Sequence, residues 1–317
     1  MNKMKKFILI ILLLLSAHTL LTAGGRRPAQ DPLIARRVSP TQYKKSSSDM
    51  VVTYIDVGQG NAVLVESPTG VTLLYDAGGT PEWSQSSWDP GIEIVVPFLK
   101  KRGIEKLDYA IMSHAHGDHI GGYKAVLYNF EVGKFLDPGY VYPSAIYEEL
   151  LTAVKKKKIK YELVKAGYDD KIKLGSEITC RVFSPPPDHY HQGTNSDCNN
   201  SSVLLKISYG EVAFLFPGDL ESEGEIYCAK KYGHELEANI LQVGHHGSAT
   251  SSTRPFLEMV MPEVAVIPVG KNNTFGHPNP AALSNLEAIG AEIYRTDYDG
   301  NVVIYSDGRK FIVEIGN

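Results

Sequence analysis

From Met50 onward, apolar and polar positions alternate in short runs separated by turn residues. Residues 51–57, 62–66 and 71–76 are rich in β-branched and aromatic side chains, and Thr69-Gly70 falls between the last two runs. This predicts three strands with a hairpin turn. Residues 92–101 carry apolar positions at helical spacing and stop at Gly103, which predicts a helix. Residues 108–113 read as a short buried strand that delivers His114. Helix and strand patterns continue through 145–158, and 172–208 reads mostly as strand, broken by a long loop at 185–200. Residues 211–216, 238–243 and 264–268 are again strand-like, with helical stretches between them, and 301–305 with 310–315 form a hairpin over Asp307-Gly308. No internal repeat and no second linker interrupts this pattern. One α/β domain over residues 49–317 is therefore expected.

The residues before Met50 have a different character. Lys3, Lys5 and Lys6 precede an apolar run over 7–15, and small residues lead to Ala23-Gly24-Gly25. These are the parts of a secretory signal peptide, expected over residues 1–23, which places the mature chain outside the cytoplasm, secreted or periplasmic. An uncleaved membrane tether is the alternative, although the run is short against the roughly 20 residues of a bilayer span. Gly24 stands where a lipoprotein would need cysteine. Residues 24–48, with Pro28, Pro32, Pro40 and Lys44-Lys45-Ser46-Ser47-Ser48, read as a flexible linker.

Charge narrows the function classes. The chain of 317 residues has 32 Lys+Arg against 36 Asp+Glu, a net charge of −4. Loss of the three lysines of residues 1–23 would make it −7. Sequence-blind grip on nucleic acid by a basic field is excluded, whereas phosphate can still be handled through a metal that supplies positive charge locally. Three cysteines, Cys180, Cys198 and Cys228, are too few for a disulfide scaffold and leave one bridge open.

The chemistry concentrates in Ser113-His114-Ala115-His116-Gly117-Asp118-His119-Ile120-Gly121-Gly122. His114 and His116 are two apart on an extended stretch, so both rings can face one way. Asp118 and His119 start a helix at a corner, where they can reach a second ion. Imidazole and carboxylate suit zinc, and also manganese or iron. Downstream, Asp219 directly follows the apolar strand Phe214-Leu215-Phe216-Pro217-Gly218, and His245-His246 follow Leu241-Gln242-Val243-Gly244. Ligands at the ends of several strands can converge on one site.

This order of His-x-His-x-Asp-His, Gly-Asp and a strand ending in His resembles the metallo-β-lactamase superfamily. The finer pattern is similar to the hydrolase-like domain of ComEC-type DNA-uptake proteins. It shows in Asp56-Val57-Gly58-Gln59-Gly60-Asn61-Ala62, Asp76-Ala77-Gly78-Gly79, Asn199-Asn200-Ser201-Ser202, Gly244-His245-His246-Gly247-Ser248, Phe275-Gly276-His277-Pro278 and Arg295-Thr296-Asp297. Phosphorylcholine esterases look like more distant relatives. The resemblance implies an αββα sandwich with two divalent metal ions at one edge, zinc foremost and manganese next. It implies His114, His116, Asp118, His119, Asp219 and His245 as ligands, with Asp219 bridging. It departs from the family at 197–202, which reads Asp197-Cys198-Asn199-Asn200-Ser201-Ser202 and lacks a further His. Asp197, Cys198 or a water is expected to stand in there, or else the first metal is held more weakly, and His189 and His191 read as solvent-exposed. ComEC-type proteins carry this domain beside a membrane channel; no transmembrane bundle is expected in this chain.

Two divalent ions would acidify water and clamp the oxygens of a displacement. Asp118 is expected to orient the nucleophile, and His246, Ser248 and His277 to surround substrate oxygens. Bland alternatives stand beside each: Asp118 as a helix N-cap, His246 as a partner that steers a ligand, Ser248 as a turn cap, and Gly276 to Pro280 as a helix entrance with Asn279 capping. Trp83 and Trp88 lie on a polar loop as stacking groups or loop anchors, and Lys155-Lys156-Lys157-Lys158 closes a helix. The expected function is an exported metal-dependent hydrolase of phosphate esters, a phosphodiesterase or nuclease. Lactone or amide hydrolysis and a non-catalytic metal-binding module are the alternatives.

Overall fold

The computed structural model describes residues 37–38, 44–81, 84, 88–188 and 196–316. Its strands are β1 (Arg37–Val38), β2 (Met50–Tyr54), β3 (Val63–Glu66), β4 (Thr72–Tyr75), β5 (Lys106–Ile111), β6 (Glu131–Asp137), β7 (Lys160–Leu163), β8 (Ile178–Ser184), β9 (Leu204–Tyr209), β10 (Val212–Phe216), β11 (Ile240–Gln242), β12 (Val264–Ile267), β13 (Glu292–Arg295), β14 (Asn301–Ser306) and β15 (Phe311–Gly316). Its helices are α1 (Val96–Lys101), α2 (Gly117–Ile120), α3 (Tyr123–Asn129), α4 (Ala145–Lys156), α5 (Ser222–Tyr232), α6 (Arg254–Val260), α7 (Pro280–Ala288) and α8 (Thr296–Asp299). The strands make two sheets, one in the order β1-β15-β14-β2-β3-β4-β5-β6-β7 and one in the order β13-β12-β11-β10-β9-β8.

The αββα expectation holds. Both faces of the central strands are covered, which is why they read as unbroken apolar runs instead of alternating ones. Within β4, Leu74 joins Leu64, Ala110 and Met112 in a cluster with Leu99, Val126 and Leu150 from α1, α3 and α4. Its neighbour Tyr75 points the other way, with its ring 5.6 Å from that of Phe216 on β10. The Tyr75 hydroxyl lies 2.7 Å from the Val203 carbonyl and 3.3 Å from that of Phe216, so one side chain ties the two sheets together. The second sheet buries Leu215, Leu241 and Ala265 against Cys228, Leu257 and Leu286 of α5, α6 and α7.

Two parallel ladders position the site. β4, β5, β6 and β7 run parallel, as do β10, β11, β12 and β13. Parallel strands deliver their C-terminal ends to one edge, the usual place for ligands in such sheets. Asp76, His114, Asp219 and His245-His246 all follow such ends.

Several details differ from expectation. The predicted helix at 92–101 opens as a π-helical turn over Gly91–Val95 before α1. The strand expected from 172 begins at Ile178. β7 and β13 lie at sheet edges, where exposed Lys160, Tyr161 and Glu292 dilute the apolar pattern. Within the stretch read as a linker, Arg37 and Val38 pair in parallel with Val313 and Glu314 of β15. All three cysteines are free and buried, so the open disulfide does not form among them. Burial pushes the Cys180 and Cys228 thiols up to about 12, which keeps them unreactive. Residues 1–23, Trp83, His189 and His191 lie outside the described residues, among which no helix is long and apolar enough to cross a membrane.

α6 is entered through a buried carboxylate. Glu225 of α5 accepts the backbone N–H groups of Ser252 and Thr253, both at 2.7 Å. Burial pushes its carboxyl up to about 7, although these N–H groups pull the other way. Because that value lies above the ordinary 4.5, Glu225 favours the folded state fully below about pH 4.5, and this contribution fades as pH rises through about 7. The full span is on the order of 3 kcal/mol. Urea unfolding of the wild type and Glu225→Gln at pH 5 and pH 8 should show the wild type losing ground to the variant at the higher pH. An equal difference at both pH values would mean that Glu225 does not titrate in this window.

Candidate metal centre

The site starts from a buried carboxylate that the sequence reading did not single out as functional. Asp76, at the end of β4, is fully buried with φ +60°. Its Oδ1 accepts the Ser113 backbone N–H at 2.6 Å. Its Oδ2 accepts the Ser113 hydroxyl at 2.7 Å, Asn61 Nδ2 at 2.9 Å and His119 Nδ1 at 2.7 Å. The backbone is locked by the same loop: Ala77 N donates to the His119 carbonyl at 2.8 Å and Asn61 N to that of Asp118 at 3.1 Å. Gly79 makes this approach possible, because a Cβ there would lie 1.9 Å from the Gly117 carbonyl oxygen.

From the second sheet, Gly218 turns with φ +58° and would place a Cβ 2.6 Å from Ser113 Cβ. That close contact brings Asp219 beneath the His motif. Asp219 N donates to Ser202 Oγ at 3.1 Å, and Glu221 N to Asn200 Oδ1 at 3.0 Å. The Asn199-Asn200-Ser201-Ser202 segment thus brackets the Asp219 loop. His245 and His246 occupy the left-handed region in succession, with φ +49° and +54°. Two such non-glycine residues cost on the order of 1–3 kcal/mol each. The geometry they create fans the two rings apart.

His246 turns inward. Its Nδ1 donates to the Pro268 carbonyl at 2.7 Å, so the lone pair sits on Nε2. That Nε2 lies 3.3 Å from Asp118 Oδ2 and 3.3 Å from His119 Nε2. His119 in turn has its Nδ1 proton on Asp76, which leaves its Nε2 turned to the same place. The two Nε2 atoms therefore face one another across a buried gap that calls for a positive charge, supplied by a proton on His119 or by a metal ion in its place. Asp219 Oδ1, 3.1 Å from His119 Nε2, is buried without a hydrogen-bond partner. Among the described residues, His114, His119 and Asp219 form one group of converging ligand atoms and Asp118, His119 and His246 another, each within 4.8 Å. This donor set fits a pair of divalent cations.

Electrostatics agree. Burial works against a charge on His119, but Asp219, Asp76 and Asp118 outweigh it and hold its proton affinity well above the ordinary range. Burial and His119 drive His114 well below its own, so His114 stays neutral. Asp118 and Asp219 stay ionised because His119 and His246 beside them override burial. The cluster demands positive charge, and a metal can take the place of the proton.

The family model of the metallo-β-lactamase superfamily matches residues 55–271. The chain belongs to the metallo-β-lactamase superfamily. It is 33% identical over 269 residues to ComE operon protein 3 of Bacillus subtilis (strain 168), covering 82% of this chain and 33% of that protein. It is 32% identical over 276 residues to competence protein ComA of Neisseria gonorrhoeae, covering 87% of this chain and 35% of that protein. The chain thus spans about a third of the length of these relatives, and the resemblance to competence proteins is borne out. Among solved structures it is similar to a metallo hydrolase of the archaeon Ignicoccus hospitalis KIN4/I, with TM-score 0.47, 15% identity, and coverage of 80% of this chain and 98% of that one.

In this metallo-β-lactamase domain the expected residues gather, with their parts redistributed. His246 falls in a group of converging ligand atoms, whereas His245, the less buried of the pair, does not, although each Nε2 lies 3.7 Å from Asp219 Oδ2. His245 Nδ1 lies 3.1 Å from Glu221 Oε1 and its Nε2 3.7 Å from Asp219 Oδ2. His116 flanks the first group, with Nδ1 3.0 Å from His114 Nε2. Asp118 lies inside the first turn of α2, where His116 is the N-cap. Ser248 is buried and takes the turn-capping part, with its hydroxyl 2.9 Å from Thr250 Oγ1 and accepting Thr250 N at 3.3 Å. Asn279 caps α7 through Ala281 N at 2.9 Å, as expected. His277 sits beside the centre, its ring 5.5 Å from that of His245, with Nδ1 buried and unpartnered. Burial and the neighbouring His246 and His245 lower it to about 4. At neutral pH it can offer an uncharged N–H but not an imidazolium.

Sequence reasoning missed Asp76, Asn61 and Glu221. A strand ending in Asp-Ala-Gly-Gly was the available clue for the first. Asp76→Asn should lower metal affinity about 10–100-fold, the usual effect of removing a partner that orients a ligating imidazole. Chelator competition measures this, and unchanged affinity would make Asp76 a fold residue only. The same titration should show His246→Ala losing more metal than His245→Ala.

Proposed function

We propose that the protein is an exported metal-dependent hydrolase that cleaves phosphodiesters, with nucleic acid as the foremost substrate. The facing Nε2 atoms of His119 and His246, 3.3 Å apart with both Nδ1 protons committed elsewhere, carry the metal part of this reading. His114 and Asp219, flanked by His116, would contribute to holding one ion and Asp118, His119 and His246 the other, with zinc the first candidate. Bound there, two divalent ions supply an acidified water and charge neutralisation at a reacting phosphate.

The chain's own residues do the rest. Asp76 fixes the tautomer and aim of His119, and the Pro268 carbonyl does so for His246. Glu221 holds His245 and is itself fixed by Asn199 Nδ2 at 2.8 Å. His277, neutral and beside the centre, is placed to donate its N–H to a phosphoryl oxygen as charge gathers there. The phosphodiester choice is supported by the competence proteins among the relatives, and export by the basic, apolar and small-residue order of residues 1–23.

Elemental analysis of the purified protein should find about two divalent ions per chain. No metal, even after addition of zinc or manganese, would sink the enzyme reading. A substrate panel of bis-p-nitrophenyl phosphate, single-stranded DNA, RNA, a phosphorylcholine ester and nitrocefin should show turnover of phosphodiesters. Cleavage of nitrocefin alone would replace the phosphate reading with amide hydrolysis. Asp219→Ala should abolish turnover while the protein stays folded. His277→Ala should lower kcat about 10²–10³-fold, the cost of losing one donor to developing charge, with bound metal unchanged. Loss of metal in that variant would make His277 a ligand.

A further inference from the structure

The ring of His277 is held differently from those it faces. Hydrogen bonds at Nδ1 set the aim of His119, through Asp76, and of His246, through the Pro268 carbonyl. The Nδ1 of His277 is buried and has no hydrogen-bond partner. Its ring lies against those of His245, His246 and Phe275, with centroids 5.5, 6.4 and 5.7 Å away. Such ring contacts are less directional than a hydrogen bond. Where this ring points therefore depends on the backbone that carries it.

That backbone gets little hold from burial, since Lys271, Asn272, Thr274, Phe275 and Gly276 are all exposed. The ends of the loop are tied to the site. Gly270 N donates to Gln59 Oε1 at 3.0 Å, and Asn279 N to the Gly247 carbonyl at 2.7 Å, directly after the His245-His246 pair. Between these ties one side chain braces the loop. Asn273 Oδ1 accepts the backbone N–H groups of Phe275 at 3.2 Å and His277 at 3.1 Å. Its Nδ2 donates to the carbonyls of His277 at 2.7 Å and Gly270 at 3.0 Å. The two N–H groups identify Oδ1 and the two carbonyls identify Nδ2, so the amide sits one way round. An asparagine that only shapes a turn bonds to the backbone about two residues on. Asn273 also grips His277, four residues on, by both its N–H and its C=O, and ties it back to Gly270.

We propose that Asn273 is a positioning residue for His277, holding the imidazole where it can reach a phosphoryl oxygen at the metal centre. The inference rests on the phosphodiesterase reading, in which His277 donates to that oxygen. A donor helps only when it is aimed where charge gathers, and a misplacement of about 1 Å can cost about 10²-fold in rate. Asn273→Ala should therefore lower kcat for bis-p-nitrophenyl phosphate about 10²-fold, while KM and bound zinc stay as in the wild type. The double variant separates positioning from a general part in the loop. If Asn273 acts through His277, Asn273→Ala should cost nothing further in a His277→Ala background, because groups that act as a unit are not additive.

A rate loss of the same size in both backgrounds would overturn the proposal. So would loss of zinc, a change confined to KM, or full activity in Asn273→Ala. Where the wild type cleaves no phosphodiester, calorimetric binding of orthovanadate, a mimic of the phosphoryl group in transfer, repeats the cycle without turnover. The zinc-loaded wild type, the two single variants and the double variant are compared. If all three variants bind vanadate more weakly than the wild type by the same factor, the positioning role stands and the phosphodiesterase reading falls. Vanadate binding that Asn273→Ala does not weaken, that the double variant weakens further, or that the wild type lacks overturns the positioning role.

Discussion

The upper edge of the sandwich is organised around a buried demand for positive charge. Asp76, Asp118 and Asp219 converge on His119, and the Nε2 atoms of His119 and His246 are turned toward each other by hydrogen bonds on their far sides. In a dry site such a group of acceptors and carboxylates is costly without a cation, because unpaired buried charge loses its hydration with nothing in return. The surrounding fold resists the alternatives. Asp76 cannot swing away, since Ser113, Asn61 and His119 all donate to it. Asp219 cannot retreat, since Ser202 and the tight Gly218 turn hold its backbone against Ser113.

That arrangement requires two sheets to meet closely at one edge. β4 and β5 bring Asp76 and the His motif; β10 and β11 bring Asp219 and the His245-His246 pair. The Tyr75 hydroxyl, reaching across to the carbonyls of Val203 and Phe216, keeps the halves in register just below the centre. Strain is concentrated where the rings must diverge, at two consecutive left-handed histidines. Such strain persists only where surrounding bonds over-determine it: Glu221 holds one ring and the Pro268 carbonyl the other.

The periphery is built to different rules. The loop after β6 and the segment at 196–199 line a cavity next to the first histidine pair, with Tyr140 and Tyr142 among its residues. A superfamily scaffold can keep the centre constant while this periphery varies, because loops at strand ends change without disturbing the sheets that position the ligands.

Local periodicity in the amino-acid sequence determined most of the central strands and helices and one α/β domain, and ligand types at strand ends pointed to His114, His116, Asp118, His119 and Asp219. The sandwich class was implied by the resemblance to the metallo-β-lactamase superfamily, not by the pattern itself. Only tertiary structure decided which of His245 and His246 faces the centre, because that depends on two left-handed dihedrals that neighbouring letters do not encode. It also decided that Ser248 caps a turn, that Asn199 to Ser202 bracket the Asp219 loop, and that Arg37 and Val38 pair with β15. Asp76 became legible as a site residue only when β4 was set beside β5, since its partners Ser113 and His119 lie about forty positions away along the chain. Edge strands β7 and β13 stayed hidden because their exposed faces remove the apolar pattern from which strands are read.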